Sequence, residues 1–303
     1  MKRVAYIFVI IAVFALGANA QQLQQYSQYA INSYVLNPAL SGINPYFEVK
    51  ASNRYQWQGI TDAPRTYILS VDGPYKTMKM GYGGYVFTDI TGPTRRTGFS
   101  LSYAYHTKLT ETIKLGLGLS GGILQFAVDG SKINMHDAGD LVLSNGFQTV
   151  VTPDFGFGFI LHSEKWYFGG SVPQLYPAKL KFFDSMSNPQ SKLAPHVFVN
   201  AGYKYAINEQ FRLEPTLMIK YVSPVPVQFD LGAKVVYKDM VWLGVNFRTM
   251  DAVSVMVGYT FKNNLSFAYA YDITLSNLKR YTTGTHEIML GLRFNNKTPL
   301  LQK

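Results

Sequence analysis

Val253, Val255, Val257, Tyr259 and Phe261 are apolar, and Ser254, Met256, Gly258, Thr260 and Lys262 between them are mostly small or polar. A repeat of two residues is the period of a β-strand, whose side chains point alternately to opposite faces. The rhythm recurs in Ile113, Leu115, Leu117 and Leu119 against Lys114, Gly116, Gly118 and Ser120. It recurs again in Val225, Val227, Phe229, Leu231, Ala233 and Val235 against Gln228, Asp230, Gly232 and Lys234. Bounded by turn residues, such segments predict strands near 46–57, 65–76, 80–91, 96–108, 111–127, 149–163, 165–174, 193–207, 209–222, 225–238, 240–250, 252–262, 263–274 and 285–295. In the 80–91 segment, Gly81, Gly83 and Gly84 interrupt the alternation.

Fourteen strands of one rhythm, with no separate soluble domain, predict an all-β fold: a transmembrane antiparallel β-barrel. An even number lets the two ends meet antiparallel, as in bacterial outer-membrane barrels. Asn208-Glu209, Lys238-Asp239 and Lys262-Asn263 are tight turns after even-numbered strands, whereas the long segments 128–148, 175–192 and 275–284 follow strands 5, 7 and 13. This parity places short turns on a periplasmic rim and long loops on the outer one. A Lys or Arg facing lipid at mid-membrane costs about 2–4 kcal/mol, so the polar face must be the lumen. That face carries Lys114, Arg212, Lys220, Lys234, Arg248, Lys262 and Arg293 against Glu214, Asp230, Asp272 and Glu287, and cross-strand ion pairing is expected. Pro215, on the apolar face of its strand, removes one ladder donor and predicts a local irregularity. The last strand sets Ile288, Leu290, Leu292 and Phe294 on one face, in position to close against the first.

The amino terminus changes the picture by supplying an address. Lys2 and Arg3 precede an apolar run from Val4 to Leu16, and Ala18-Asn19-Ala20 has the small residues of a signal-peptidase site, with cleavage expected after Ala20. The run is shorter than the roughly 20 residues a spanning helix needs. No cysteine occurs anywhere, which excludes disulfides, a lipid-anchored cysteine and thiolate chemistry. An exported chain, 47% hydrophobic and without a long apolar run, can cross a bilayer only as a closed barrel. The net charge is +10, and +8 once Lys2 and Arg3 leave with the leader. These charges are dispersed without a basic stripe, so nucleic acid is not an expected partner; lumen charge and attraction to anionic headgroups or an acidic partner are.

The candidate chemistry is sparse. Gly116-Leu117-Gly118-Leu119-Ser120-Gly121 spells a dinucleotide-binding string, but strand alternation runs straight through it where a strand-to-helix turn is needed. Small lumen-facing residues that leave room inside the barrel account for it better. His106, His136, His162, His196 and His286 lack ligand spacing; His136 with Asp137 and Asp140 forms a polar loop that could hold calcium. No local motif indicates a hydrolytic triad. The expectation is a protein that is not an enzyme, with no cofactor, metal or catalytic residue.

The segment from Gln21 to Gly42 is rich in Gln and Tyr and lacks charge, yet holds Leu23, Tyr26, Tyr29, Ile31, Tyr34, Val35 and Leu36. These are too many apolar groups to leave in water. The expected organisation is a signal peptide at 1–20, an amino-terminal plug or periplasmic segment at 21–45 packing at or in the periplasmic end of the lumen, a barrel at 46–295 and a basic tail at 296–303.

Tyr26-Ser27-Gln28-Tyr29, Leu36-Asn37-Pro38-Ala39 with Gly42, Arg54-Tyr55-Gln56-Trp57 with Gly59, and Ala63-Pro64-Arg65-Thr66 occur in order. So do Pro153-Asp154-Phe155-Gly156-Phe157-Gly158, Gly169 to Leu175, and Tyr271-Asp272-Ile273-Thr274-Leu275-Ser276 followed by Gly284-Thr285-His286-Glu287-Ile288. Over essentially the whole mature chain these resemble the PorP/SprF family of the Bacteroidetes type IX secretion and gliding apparatus. The resemblance implies an integral, multi-pass protein of the bacterial outer membrane. Its implied partners are a secreted type IX cargo protein with a carboxyl-terminal sorting domain, and periplasmic or outer-membrane secretion components. Tyr29, Asn37, Pro38, Arg54, Trp57, Pro64 and Arg65 belong to the resemblance and are the candidate partner-binding or architectural residues. Asn37-Pro38-Ala39 also resembles the plugged amino end of FadL-type channels for hydrophobic compounds, which leaves a transporter as the alternative.

Overall fold

A computed structural model describes residues 25–75, 79–133, 146–180 and 192–294. The expected signal peptide, the loop with His136, Asp137 and Asp140, and the basic tail lie outside them. Fourteen strands alternate direction: β1 (Phe47–Gln58), β2 (Arg65–Pro74), β3 (Met80–Thr91), β4 (Thr94–Lys108), β5 (Lys114–Asp129), β6 (Phe147–His162), β7 (Trp166–Val172), β8 (Val197–Tyr203, resuming at Tyr205–Ala206), β9 (Phe211–Val222), β10 (Val225–Tyr237), β11 (Val241–Arg248), β12 (Ala252–Phe261), β13 (Leu265–Thr274) and β14 (Gly284–Phe294). All fourteen predicted strands are present, including 80–91 with its three glycines.

Every strand pairs with its sequence neighbours, and β1 pairs antiparallel with β14 from Phe47↔Phe294 to Gln58↔Gly284. The ring is thereby closed, with no free edge to pair with another chain. Followed round the ring, the registers return to β1 displaced by about 14 residues, a shear equal to the strand number that tilts the strands by roughly 37°. Outward positions are apolar, as at Leu119 and Leu243, each 61% exposed in the bare protein and so available to acyl chains. Turns after even-numbered strands are short. The segments after β5, β7 and β13 are long and share the opposite rim with the first hairpin loop.

The irregularity predicted at Pro215 falls on the neighbouring strand. β9 keeps its register with β10 through Pro215↔Ala233, but β8 is interrupted at Lys204. With no N–H at Pro215, the β8–β9 ladder lacks a donor there, and pairing resumes only at Leu213↔Tyr205.

Two departures concern what fills the ring. The segment 25–44, predicted at or in the periplasmic end of the lumen, lies in the lumen and extends beyond that end. It runs as a strap from Gly42, against Gly81 at the tight-turn rim, up to Ser27, which reaches Asp272 and Glu287 near the long-loop ends of β13 and β14. The reason is chemical: buried carboxylates at that level accept bonds from the strap's free N–H and hydroxyl groups. The 175–192 segment was expected as an outer loop, yet its described ends fold inward. Lys179 pairs with Lys192, and Ala178, Leu180 and Leu193 are buried against Ile68, Phe87 and Leu124 of the inner wall. These apolar inward residues contradict a uniformly wet lumen, because chain and not water covers them.

Candidate functional site

The strap is seated by glycines. A Cβ built at Gly118 would lie 2.3 Å from the amide nitrogen of Ala39, and one at Gly158 would lie 2.0 Å from Asn37 Oδ1. No other residue type lets the backbone approach so closely. The string containing Gly118 thus serves to admit the strap. Asn37 caps the short 3₁₀ turn Pro38–Leu40, accepting from Ala39 N at 3.0 Å. Its Nδ2 donates to the carbonyls of Phe159 at 3.0 Å and Gly170 at 3.4 Å, so one side chain both shapes the strap and ties it to β6 and β7. Pro38, at the first position of the turn, is buried and surrenders no needed N–H. Tyr34, Ala39 and Leu40 pack with Ile160, while Tyr34 and Ser41 each bond Ser102 at 2.8 Å. Tyr29 is buried, its hydroxyl 3.4 Å from Thr216 Oγ1.

Above the strap's upper end lies a charge cluster. Arg54, 2% exposed, donates to Asp272 at 2.8 Å, to Glu287 at 3.0 Å and to Ser27 Oγ at 2.5 Å. Ser27 N donates to Glu287 at 2.8 Å, and Ser27 Oγ and Ser254 Oγ each donate to Asp272 at 2.6 Å. Arg248 bridges Asp272, Asp230 and Asp251 at 3.6, 3.3 and 2.7 Å, and Lys220 meets Asp230 at 2.9 Å. The predicted cross-strand pairing of lumen charge is therefore present, and it closes the long-loop half of the lumen. A second set sits near the tight-turn rim: Glu48 holds Lys50 and Arg293, and Glu214 holds Arg212 and Lys234. The alternation of Phe47, Val49 and Ala51 with Glu48, Lys50 and Ser52 is the signal that sets Glu48 and Lys50 on the lumen face, although neither is among the lumen charges named from the sequence.

Below the strap, a cavity of about 1120 Å³ occupies the lumen on the side of β6 to β14 and β1, walled by residues such as Tyr29, Tyr167, Trp242, Asn246 and Met289 and reaching Lys204, Lys238 and Lys262 at the tight-turn rim. A smaller, mostly apolar cavity of about 250 Å³ lies at the long-loop end among Tyr26, Leu36, Phe198, Met218 and Val222. His196 stands at its edge. Burial pushes the His196 ring down to about 4, and its Nδ1 lies 2.8 Å from the carbonyl of Ala194, which places the proton of the neutral ring on that nitrogen.

Of the seven residues singled out in the sequence, Tyr29, Asn37, Pro38 and Arg54 converge inside the lumen. Trp57, Pro64 and Arg65 do not join them; they build the first hairpin at the long-loop rim. Trp57 is half-buried with φ 50° at the bulge where the β1–β14 register shifts, its N–H bonded to Thr285 Oγ1 at 3.0 Å. Pro64 gives its carbonyl to Gln56 N at 3.0 Å. Arg65 is exposed on the outer face, its guanidinium 4.3 Å from the centre of the Tyr55 ring and bonded to the Tyr55 hydroxyl. No cluster of three metal-ligating side chains occurs among the described residues.

The barrel has structural counterparts. The CymD monoaromatic hydrocarbon channel superposes with a TM-score of 0.52 at 12% identity, covering 86% of this chain and 91% of that one. A Pseudomonas aeruginosa FadL homologue gives 0.45 at 9% identity over 82% and 88%, and Acinetobacter baumannii Omp33 gives 0.47 at 8% over 84% and 99%. At such identities the likeness concerns the fold alone. No match is found among curated protein sequences. The sequence profile of the type IX secretion system membrane protein PorP/SprF matches residues 18–292, spanning the strap, the charge cluster and all but the last two residues of β14. This chain belongs to the PorP/SprF family of type IX secretion system membrane proteins, and its closed ring of antiparallel strands makes it an integral, multi-pass protein of the outer membrane.

Proposed function

We propose that the barrel is an anchoring component of the type IX secretion and gliding apparatus. It holds a partner at the outer membrane, either a secreted protein bearing a carboxyl-terminal sorting domain or a component of the periplasmic machinery, in support of that protein's export or surface attachment. One observation carries the reading: the long-loop half of the lumen is filled by the chain itself, with Ser27 locked between Arg54, Asp272 and Glu287. A ring so closed offers surfaces for binding in preference to a passage for solute. Clean deletion of the gene, followed by surface labelling of exported proteins that carry such sorting domains, is expected to abolish display of at least one of them. Unchanged display of all of them defeats the reading.

A second reading, a channel for small hydrophobic molecules, is favoured by the apolar cavity at the long-loop end. Its volume falls below the range of roughly 300–1,000 Å³ usual for ligand pockets. Uptake of a hydrocarbon such as toluene by proteoliposomes at rates above protein-free vesicles would support it.

A further inference from the structure

The large cavity is closed above by the strap, so an occupant enters from the tight-turn rim. Eight lysines and arginines line it against four carboxylates. Lys50, Arg212, Lys234 and Arg293 are already neutralised by Glu48 or Glu214. Lys165, Lys204, Lys238 and Lys262 meet no carboxylate among the described residues, and they stand on the turns after β6, β10 and β12 and at the break in β8, around the mouth, with the Lys238 and Lys262 ammonium groups each 5.2 Å over the rings of Tyr237 and Phe261. The mouth therefore attracts anions. The walls are different in kind: Tyr167, Trp242, Met256 and Met289 offer apolar surface that a bare inorganic anion could not use. Asn246, on the inner wall beside Gly232, has both amide atoms buried without a partner. An unpaired amide is costly, and a peptide group, with one donor and one acceptor, matches its two atoms. At about 1120 Å³ the space exceeds the usual range of small-molecule pockets, roughly 300–1,000 Å³.

We infer that this vestibule is the binding site for an extended peptide that carries carboxylates alternating with apolar side chains, presented from the periplasmic side by a protein partner. The inference rests on the proposed partner-holding role and gives it a site and a chemistry. The rim lysines steer the peptide in and pair its carboxylates, while the aromatic and methionine walls take the alternate side chains.

The test uses the full mature protein in non-ionic detergent and a fluorescein-labelled octapeptide alternating Glu and Leu, read by polarisation at about 50 mM salt. Saturable binding is expected, weakened at least about tenfold in the triple variant Lys165→Glu, Lys204→Glu, Lys262→Glu and by a similar factor when salt is raised to about 500 mM. The outer-rim variant Arg95→Glu should bind as the parent does, and unchanged gel mobility before heating reports that each variant is folded. A photoreactive benzoylphenylalanine in place of one Leu is expected to label the wall around Met256 and Met289. Equal affinity for an alternating Lys and Leu peptide, indifference to the triple reversal, or labelling confined to the outer loops overturns the inference. If deletion abolishes surface display while the purified barrel ignores the acidic peptide, the vestibule assignment falls and the anchoring role stands; binding with display unaltered separates them the other way.

Discussion

Arg54 finds its carboxylates 218 and 233 residues away, on β13 and β14, and its hydroxyl partner on the strap. Its guanidinium suits this place because a planar fork can bond several oxygens at once and never loses its charge. Replacing it by alanine leaves Asp272 and Glu287 buried together with only Arg248 nearby. Arg54→Ala is therefore expected to lower stability by about 3–5 kcal/mol, the usual cost of breaking a buried pair from one side, as measured by urea unfolding in micelles. Arg54→Lys should recover part of that, since a single ammonium cannot serve both carboxylates in the same geometry. At this scale the sequence resemblance marked Arg54, Asn37, Pro38 and Tyr29 as residues of interest but left open whether they face a partner. All four are buried in the plugged lumen, where Asn37, Pro38 and Arg54 seat the strap and Tyr29 also walls the large cavity.

Among elements, the strap and the strands that seat it are mutually shaped. Gly118 and Gly158 are inward positions where the strap lies on bare backbone, whereas a Cβ at Gly121 would meet only the Phe155 ring at an ordinary 3.7 Å. Gly158→Val should displace Asn37 and loosen the strap, raising ion conductance across planar bilayers several-fold over the parent, while Gly121→Ala should leave it unchanged. Equal conductance in all three would show that the strap is not held at Asn37. The strands themselves were legible because their outward face is largely apolar against lipid. The inward folding of the β7–β8 connection was not. Ala178, Leu180 and Leu193 did supply a signal, apolar residues at both ends of a long loop, but the wall that receives them, Ile68, Phe87 and Leu124, comes from three other strands.

For the whole molecule, the ring depends on its own ladders and not on the strap. β1 closes against β14, and β9 against β10, through backbone pairing along nearly their whole length, each with a single register shift. Arg54 also keeps Asp272 and Glu287 as partners when Ser27 is absent. A barrel lacking residues 25–44 is accordingly expected to fold, run as a heat-modifiable species on gels, and conduct ions that the parent excludes; failure to form that species would make the strap a requirement for closure. The alternation of apolar and polar residues alone determined strand number, direction, the closed ring and the lipid-facing side, since each is a local consequence of backbone hydrogen bonding in a solvent that offers none. Only the tertiary structure decided what occupies the lumen, which charges meet and where the vestibule opens. Those depend on contacts among residues from the strap and from strands far apart in the chain, brought together when the ring closes, and no local pattern encodes them.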